Sequence, residues 1–286
     1  MSSRVASLVL VMAGSCASVA KDGPAEEPLH LFIRSGFTVQ NVGSRVVPAA
    51  ELWVCAPLEE TSTQRLVDWK TEPRSAEQTD ALGNHLLHFV FSNVPPYAVK
   101  LVSVEATLAM KPSPAPQEAD PERWLKAGPL YEYEDEAFER LGPKLPEGSP
   151  VQTARALYDW IRGYVRDAGY DGTDRGALYA LTQEKGDCTE FATLFAALCR
   201  RAGIPARALG GYVVGRNTVL APASFHNWAE FYADGRWQLA DPQRGLFMTG
   251  AEHYVTTRVL GESDSPLGSF ARFRYLGEGI KAVMNE

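Results

Sequence analysis

Two stretches in the middle of the chain place apolar residues at the three- and four-residue spacing of an α-helix. The first opens with Ser149 and Pro150, residue types that favour a helix start, and its apolar stripe is Val151, Ala154, Leu157, Ile161 and Val165. The second follows Asp187, a good N-cap, and its stripe is Phe191, Leu194, Phe195, Leu198 and Ala202. Gly203 and Pro205 end this second helix. Shorter helices are predicted over 135–141 and 176–183.

The N-terminal part of the chain has the two-residue alternation of β-strands instead. Residues 29–34 and 101–108 alternate in this way, and 49–55 and 86–91 are also strand-like, with turn residues between them. Several short strands at this spacing predict a small all-β sandwich domain of immunoglobulin-like kind over 28–110. The proline-rich stretch 111–121 predicts a stiff linker after it.

The region after Pro205 predicts an antiparallel sheet on which the helices pack. Residues 206–214 form an apolar run, and the strand candidates 225–232 and 237–242 flank Asp234-Gly235, a dipeptide that favours a two-residue hairpin turn. The expected result is an α+β domain over 122–286. Two later strand candidates, 254–260 and 269–276, either complete this sheet or return to pack on the first domain.

Three side chains of this region form a constellation that points to nucleophilic catalysis. Cys188 falls in the first turn of its helix, where the partial positive charge of the helix N-terminus is expected to lower the pKa of a thiol below the ~8.5 of free cysteine. If Ala233 pairs with Arg236 across the hairpin, His226 and Asp241 lie on one face as diagonal neighbours. A nucleophile, a base and an orienting carboxylate would then be present. Taken one at a time, a buried structural cysteine and a structural histidine–aspartate pair are the ordinary alternatives.

Two sequence blocks carry a family resemblance at these residues. GDCTEFATLFAALCRRAGIPARALGGYVV and FHNWAEFYADGRWQLADP resemble the transglutaminase-like superfamily of papain-like cysteine enzymes, which includes exported bacterial proteins. The resemblance is strong over roughly residues 150–245. It implies a papain-like, transglutaminase-like core in which the cysteine helix packs on an antiparallel sheet, with Cys188, His226 and Asp241 as the catalytic residues.

The resemblance also implies a reaction class. Such an enzyme cleaves or transfers an amide acyl group through a cysteine thioester, as a peptidase or amidase when water accepts the acyl group and as a transglutaminase when an amine does. The expected substrates are proteins or peptides, including cell-wall peptides. Papain-like enzymes use a glutamine as an oxyanion donor near the position of Gln183, although the spacing differs here. A non-catalytic peptide-binding module and a structural protein built around the sandwich are the alternatives.

Composition narrows the partners and the compartment. The net charge of −7, with no run of basic residues, argues against nucleic acid and anionic membranes as partners, and the chain has neither a cofactor fingerprint nor a histidine pair spaced for a metal. Residues 1–20 resemble a signal peptide, which predicts an exported protein of the periplasm or cell envelope. Alternatively, Ala13-Gly14-Ser15-Cys16 resembles a lipobox, and Cys16 would then carry a lipid anchor. Cys188 and Cys199, eleven residues apart on one helix, are too distant to form a disulfide.

Overall fold

The computed structural model describes residues 29–110, 118–145, 147–173 and 175–286. The predicted signal peptide (1–20), Cys16 and most of the predicted linker lie outside these residues. None of the helices within the described ranges is long and apolar enough to cross a bilayer.

The chain has a β-rich first part, which is followed by a second part that contains both helices and strands. The strands of the first part are β1 (Leu29–Asn41), β2 (Val47–Cys55), β3 (Gln64–Glu72), β4 (Ala76–Thr79), β5 (His85–Val94) and β6 (Val99–Met110). The helices of the second part are α1 (Glu136–Leu141), α2 (Pro150–Tyr164), α3 (Gly176–Gln183) and α4 (Cys188–Arg201). Its strands are β7 (Arg166–Asp167), β8 (Lys185–Gly186), β9 (Ala206–Val213), β10 (Thr218–Val219), β11 (Phe225–Ala233), β12 (Arg236–Asp241), β13 (Leu246–Phe247), β14 (Tyr254–Leu260), β15 (Phe273–Leu276) and β16 (Ile280–Met284).

The first part forms a β sandwich. One sheet has the order β10–β1–β6–β3, with β16 also pairing with β1, and the other has the order β15–β2–β5–β4. The two sheets share one apolar core, to which the inward side chains of β1, β2, β5 and β6 contribute. Burial alternates along β6, where Val102, Val104, Ala106 and Leu108 face inward, so the predicted period of two is confirmed.

The last strands of the chain divide between the two parts of the molecule. β14 pairs with β9 in the core sheet, whereas β15 pairs with β2 and β16 with β1 in the sandwich. The two outcomes that the sequence left open are therefore both realised, one for each strand candidate. Residues 273–276 and 280–284 contribute to the sandwich although the predicted second domain, 122–286, includes them. The predicted domain boundaries themselves stay a prediction.

The second part is a helical layer on an antiparallel sheet of order β13–β12–β11–β9–β14. α4 packs on the centre of this sheet and is buried along its length, from Thr189 to Arg200. The sheet residues beneath α4 include several alanines, which let the helix approach closely; those in the shared core are Ala206, Ala208, Ala229, Ala233 and Ala240. The predicted α+β architecture, a cysteine helix packed on an antiparallel sheet beside a β sandwich, is confirmed.

Candidate active site

The start of α4 is fixed by a reciprocal cap. The Asp187 carboxylate accepts a hydrogen bond from the Thr189 backbone at 2.8 Å, and the Glu190 carboxylate accepts one from the Asp187 backbone at 3.0 Å. Glu190 also accepts from the Arg175 backbone at 3.1 Å, which ties the start of α3 to that of α4. Burial raises the pKa of Glu190 to about 7. The cap places Cys188 at the first helical position, where its backbone N–H has no acceptor within the helix.

The hairpin of β11 and β12 has the predicted register. Ala233 pairs with Arg236 and Ala229 with Ala240. Asp234 and Gly235 have φ values of 53° and 75°, as a turn with positive φ at both central residues requires. This register brings His226 and Asp241 to one face of the hairpin.

His226 and Asp241 are both buried and in direct contact. His226 Nε2 lies 2.6 Å from Asp241 Oδ2. Because an ionised carboxylate can only accept, Nε2 is the nitrogen that donates, and in the neutral ring Nδ1 is left as the acceptor. The structure therefore presents an imidazole whose free nitrogen can take up a proton.

Asn227, the neighbour of His226, ties the hairpin to the start of α4. Its side-chain amide donates to the Thr189 hydroxyl at 2.9 Å, and its backbone hydrogen-bonds to the Cys188 sulfur. The thiol is thus next to the backbone of the residue that follows His226. Contacts from two separate elements bring the sequence-predicted site residues into one place.

The electrostatic surroundings of Cys188 differ from the expectation. Burial, followed by the negative charge of Asp187, raises the pKa of its thiol to about 12. The Asn227 backbone lowers this pKa, and the charges of Asp241 and Glu190 raise it further. The prediction of a depressed pKa is therefore wrong, because it considered the helix N-terminus without the burial of the thiol and the acidic side chains around it.

The three thiols within the described residues are all free, and they differ mainly in what lies beside them. Burial raises the pKa of Cys55 to about 11 and also raises that of Cys199, which is completely buried in the α4 core, as its place on the apolar stripe predicts. Cys188 is partly accessible and is the thiol near the His226–Asp241 pair. Cys55 is also partly accessible, so what distinguishes Cys188 is its position beside this pair, and not its access or an ionised resting state.

An open polar groove of about 480 Å³ leads to His226. We call it the His226 groove; its lining residues are Asp167, Val213, Ala223, Ser224, Phe225, His226, Gln243 and Arg244. The groove opens the site to solvent on the side of His226, and Cys188 is not among its lining residues. Within the described ranges, no three His, Cys, Asp or Glu side chains are grouped so that they could hold a metal ion.

Two contacts to Asp241 come from residues that the sequence did not indicate. The Tyr254 hydroxyl donates to Asp241 Oδ2 at 2.7 Å, and the Arg244 backbone donates to Asp241 Oδ1 at 3.0 Å. The sequence shows Tyr254 only as the first residue of a strand candidate, and its role depends on strand order. Gln183 is exposed at the end of α3, and its amide contacts its neighbour Thr182 at 3.5 Å.

Comparisons with known proteins agree with this architecture. Residues 140–242, which include Cys188, His226 and Asp241, match the model of the transglutaminase-like superfamily, so the chain contains a transglutaminase-like core. A comparison with curated proteins gives no match. Among solved structures, a candidate cysteine protease from Cytophaga hutchinsonii is 20% identical, with 90% of each chain covered and a TM-score of 0.58. At this identity the likeness shows a shared fold.

Two other solved structures are more distant. The periplasmic domain of TgpA from Pseudomonas aeruginosa is 15% identical, with a TM-score of 0.34 over 70% of this chain and 88% of that one. A candidate protease from Parabacteroides distasonis is 17% identical, with a TM-score of 0.31 over 76% of this chain and 44% of that one. Likenesses at these scores support no inference about this protein.

Proposed function

We propose that this protein is a cysteine enzyme that cleaves or transfers an amide acyl group through a thioester on Cys188. The observation that carries the proposal is the 2.6 Å contact between His226 Nε2 and Asp241 Oδ2. The Cys188 thiol lies beside this pair and is hydrogen-bonded to the backbone of Asn227, the next residue after His226. The transglutaminase-like core supports the general class of cysteine enzyme or module.

The first half of the reaction forms the thioester. His226 Nδ1 takes the proton of the Cys188 thiol while the sulfur attacks the amide carbonyl, and Asp241 stabilises the imidazolium that results. The Cys188 backbone N–H, which has no acceptor within the helix, would donate to the oxyanion. The imidazolium then protonates the amine as the C–N bond breaks, which releases the amine and leaves the acyl group on sulfur.

The second half of the reaction depends on the acceptor. When water attacks the thioester, His226 accepts its proton, and the products are a carboxylic acid and the regenerated thiol. When an amine attacks, the product is a new amide. The open, polar His226 groove gives water ready access, so we favour hydrolysis, with glutamine side chains, peptide bonds, isopeptides and cell-wall peptides as the candidate acyl donors.

Turnover of simple amides tests the proposal. The purified protein is incubated with peptide p-nitroanilides, γ-glutamyl p-nitroanilide and cell-wall peptides, with and without an added primary amine. Cys188→Ala and His226→Ala are expected to abolish turnover, and Asp241→Asn to reduce it by about 10²- to 10⁴-fold. Intact-mass measurement after rapid acid quenching is expected to show an acyl adduct that Cys188→Ala lacks. Cys199→Ala is the control for loss of a thiol outside the site.

The same experiment separates the enzyme from a peptide-binding module. If wild type and Cys188→Ala bind peptides equally well and neither forms an adduct nor releases an amine, catalysis is excluded and the groove is a binding site. A product that appears only with the added amine identifies an acyltransferase, and a product formed in water alone identifies a peptidase or amidase.

We also propose that the protein acts outside the cytoplasm, in the periplasm or cell envelope. The support is the charged, apolar and small-residue order of residues 1–20 and the lipobox-like sequence that ends at Cys16. Intact-mass measurement on protein from an exporting host is expected to show loss of residues 1–15 or 1–20. A diacyl mass on Cys16 identifies a lipid anchor, and a mass that retains residues 1–20 contradicts export.

A further inference from the structure

Asp241 is bonded by a residue from a strand on the far side of the sheet. Its Oδ2 atom accepts from both His226, at 2.6 Å, and the Tyr254 hydroxyl, at 2.7 Å. Asp241 is on β12 and Tyr254 on β14, and both β11 and β9 lie between those strands. Tyr254 is fully buried, so its hydroxyl meets the carboxylate away from solvent.

Gly211 in β9 has no side chain, which leaves room on the sheet for the packing of the Trp228 and Tyr254 rings. Gly211 pairs with His226 on one side and with Thr256 on the other. A Cβ atom at Gly211 would come within 2.9 Å of the Trp228 ring and 1.9 Å of the Val255 carbonyl oxygen. With no side chain there, the rings of Trp228 and Tyr254 pack edge to face, with their centroids 4.9 Å apart.

The hydroxyl remains a donor throughout the pH range in which such an enzyme works. Burial, and then the negative charge of Asp241, raise the pKa of Tyr254 far above its ordinary value, whereas Arg244 lowers it. The Tyr254 hydroxyl is therefore protonated at neutral pH. The other donors that meet Asp241 are His226 and the Arg244 backbone.

We propose that Tyr254 is a positioning residue for the reaction of Cys188: its hydroxyl holds the Asp241 carboxylate in place, and Asp241 in turn orients the His226 ring. This rests on the function proposed above. Two hydrogen bonds to one buried oxygen fix its position better than one does. The hydrogen bond from Tyr254 also stabilises part of the negative charge of the Asp241 carboxylate. Without the hydroxyl, the carboxylate would be held only by the Arg244 backbone and by His226 itself among the contacts described above, and more of its negative charge would act on the imidazolium.

Tyr254→Phe removes only the hydroxyl and keeps the packing on Trp228. With the best p-nitroanilide substrate of the wild-type enzyme, kcat is expected to fall about 10- to 100-fold while KM stays within about twofold. The acid limb of the pH profile of kcat/KM is expected to move to higher pH. Without the Tyr254 hydrogen bond, the Asp241 carboxylate stabilises the protonated His226 ring more strongly, so the ring loses its proton at a higher pH.

Tyr212→Phe is the matched control. Tyr212 is also buried, on the neighbouring strand β9, and its hydroxyl bonds to Met284 Sδ at 3.3 Å in the sandwich core. This variant is expected to lose stability at most, with kcat and the pH profile unchanged. If Tyr254→Phe keeps wild-type kcat, or if it lowers kcat without moving the acid limb, the positioning role is overturned.

A readout without turnover separates the two proposals. The NMR resonance of the His226 Nε2 proton is expected to move in Tyr254→Phe and to remain in place in Tyr212→Phe. A resonance that does not move overturns the positioning role, whatever the kinetics. An inactive wild type whose resonance still moves in Tyr254→Phe overturns the proposed reaction and reduces the contact to a structural one.

Discussion

The Cys188 thiol lies at a helix N-terminus, yet its surroundings favour the protonated form. A helix terminus contributes about 0.3–1 kcal/mol, less than one pKa unit at about 1.36 kcal/mol per unit. Burial and the neighbouring carboxylates act in the opposite direction and raise the pKa to about 12. The larger effect therefore wins. In the proposed reaction the thiol is therefore neutral at rest, and its proton moves to His226 during attack.

The pH dependence of alkylation tests this electrostatic balance. Because the raised pKa keeps the thiol protonated, we expect the iodoacetamide reaction of Cys188 to rise about tenfold per pH unit through pH 9, with no plateau near pH 7. Asp187→Asn should shift the profile to lower pH, since it removes the largest charge contribution and keeps a good N-cap residue. Peptide mass spectrometry assigns the rates to each cysteine.

Cys55 serves as the internal control for that measurement. Burial is the main cause that raises the pKa of Cys55 to about 11, and Asp187 does not contribute to it. Asp187→Asn should therefore leave the alkylation profile of Cys55 unchanged. A plateau for Cys188 near pH 7 in the wild type would show that a thiolate is already present at rest. Proton transfer to His226 during attack would then be unnecessary.

At the scale of elements, local signals sufficed for the elements that position the site. The capped start of α4 and the two-residue turn between β11 and β12 depend on neighbouring residues in the sequence, and both have the predicted position. Asp-Gly fixes the hairpin register and thereby places His226 and Asp241 on one face. The sequence was therefore enough to name the three candidate side chains, Cys188, His226 and Asp241, whereas their catalytic roles stay a prediction.

The elements that the sequence did not reveal depend on distant partners. β3 lies beside β6 at the edge of its sheet, and a bulge between Leu66 and Asp68 interrupts its alternation of half-buried and exposed residues. β16 does alternate, with Ile280, Ala282 and Met284 buried, but it spans only five residues. The proposed positioning role of Tyr254 depends on the strand order and on the space left by Gly211, and a local sequence pattern shows neither of them.

At the scale of the whole molecule, the sandwich covers the open edge of the core sheet. β14 is the last strand of that sheet, and an edge strand exposes unpaired N–H and C=O groups. The Gln64 side chain accepts from Thr256 N at 2.7 Å and donates to Thr256 O at 2.9 Å. Asn84 does the same for Val259, at 2.6 and 3.1 Å. Two amide side chains thus take the place of a further strand.

This edge contact connects the sandwich to the candidate site, because β14 also carries Tyr254. Thr256 is two residues beyond Tyr254, and the Leu58 backbone donates to the same Thr256 oxygen at 3.0 Å. Gln64 and Asn84 are almost fully buried, so water does not compete for these bonds. The sandwich therefore has a structural part in the site, since it fixes the strand from which Asp241 is held.

Gln64→Ala tests this connection. The substitution leaves the N–H of Thr256 without its buried partner, and we expect it to lower the free energy of unfolding by about 1–3 kcal/mol. Amide hydrogen exchange should accelerate at Thr256, whereas Val259, still bonded to Asn84, should keep most of its protection. Gln78→Ala, at an exposed position of β4, is the control and should change stability by no more than about 0.5 kcal/mol. Unchanged exchange at Thr256 would mean that Gln64 does not protect this part of β14, and the connection from Gln64 through Thr256 to Tyr254 would then be contradicted.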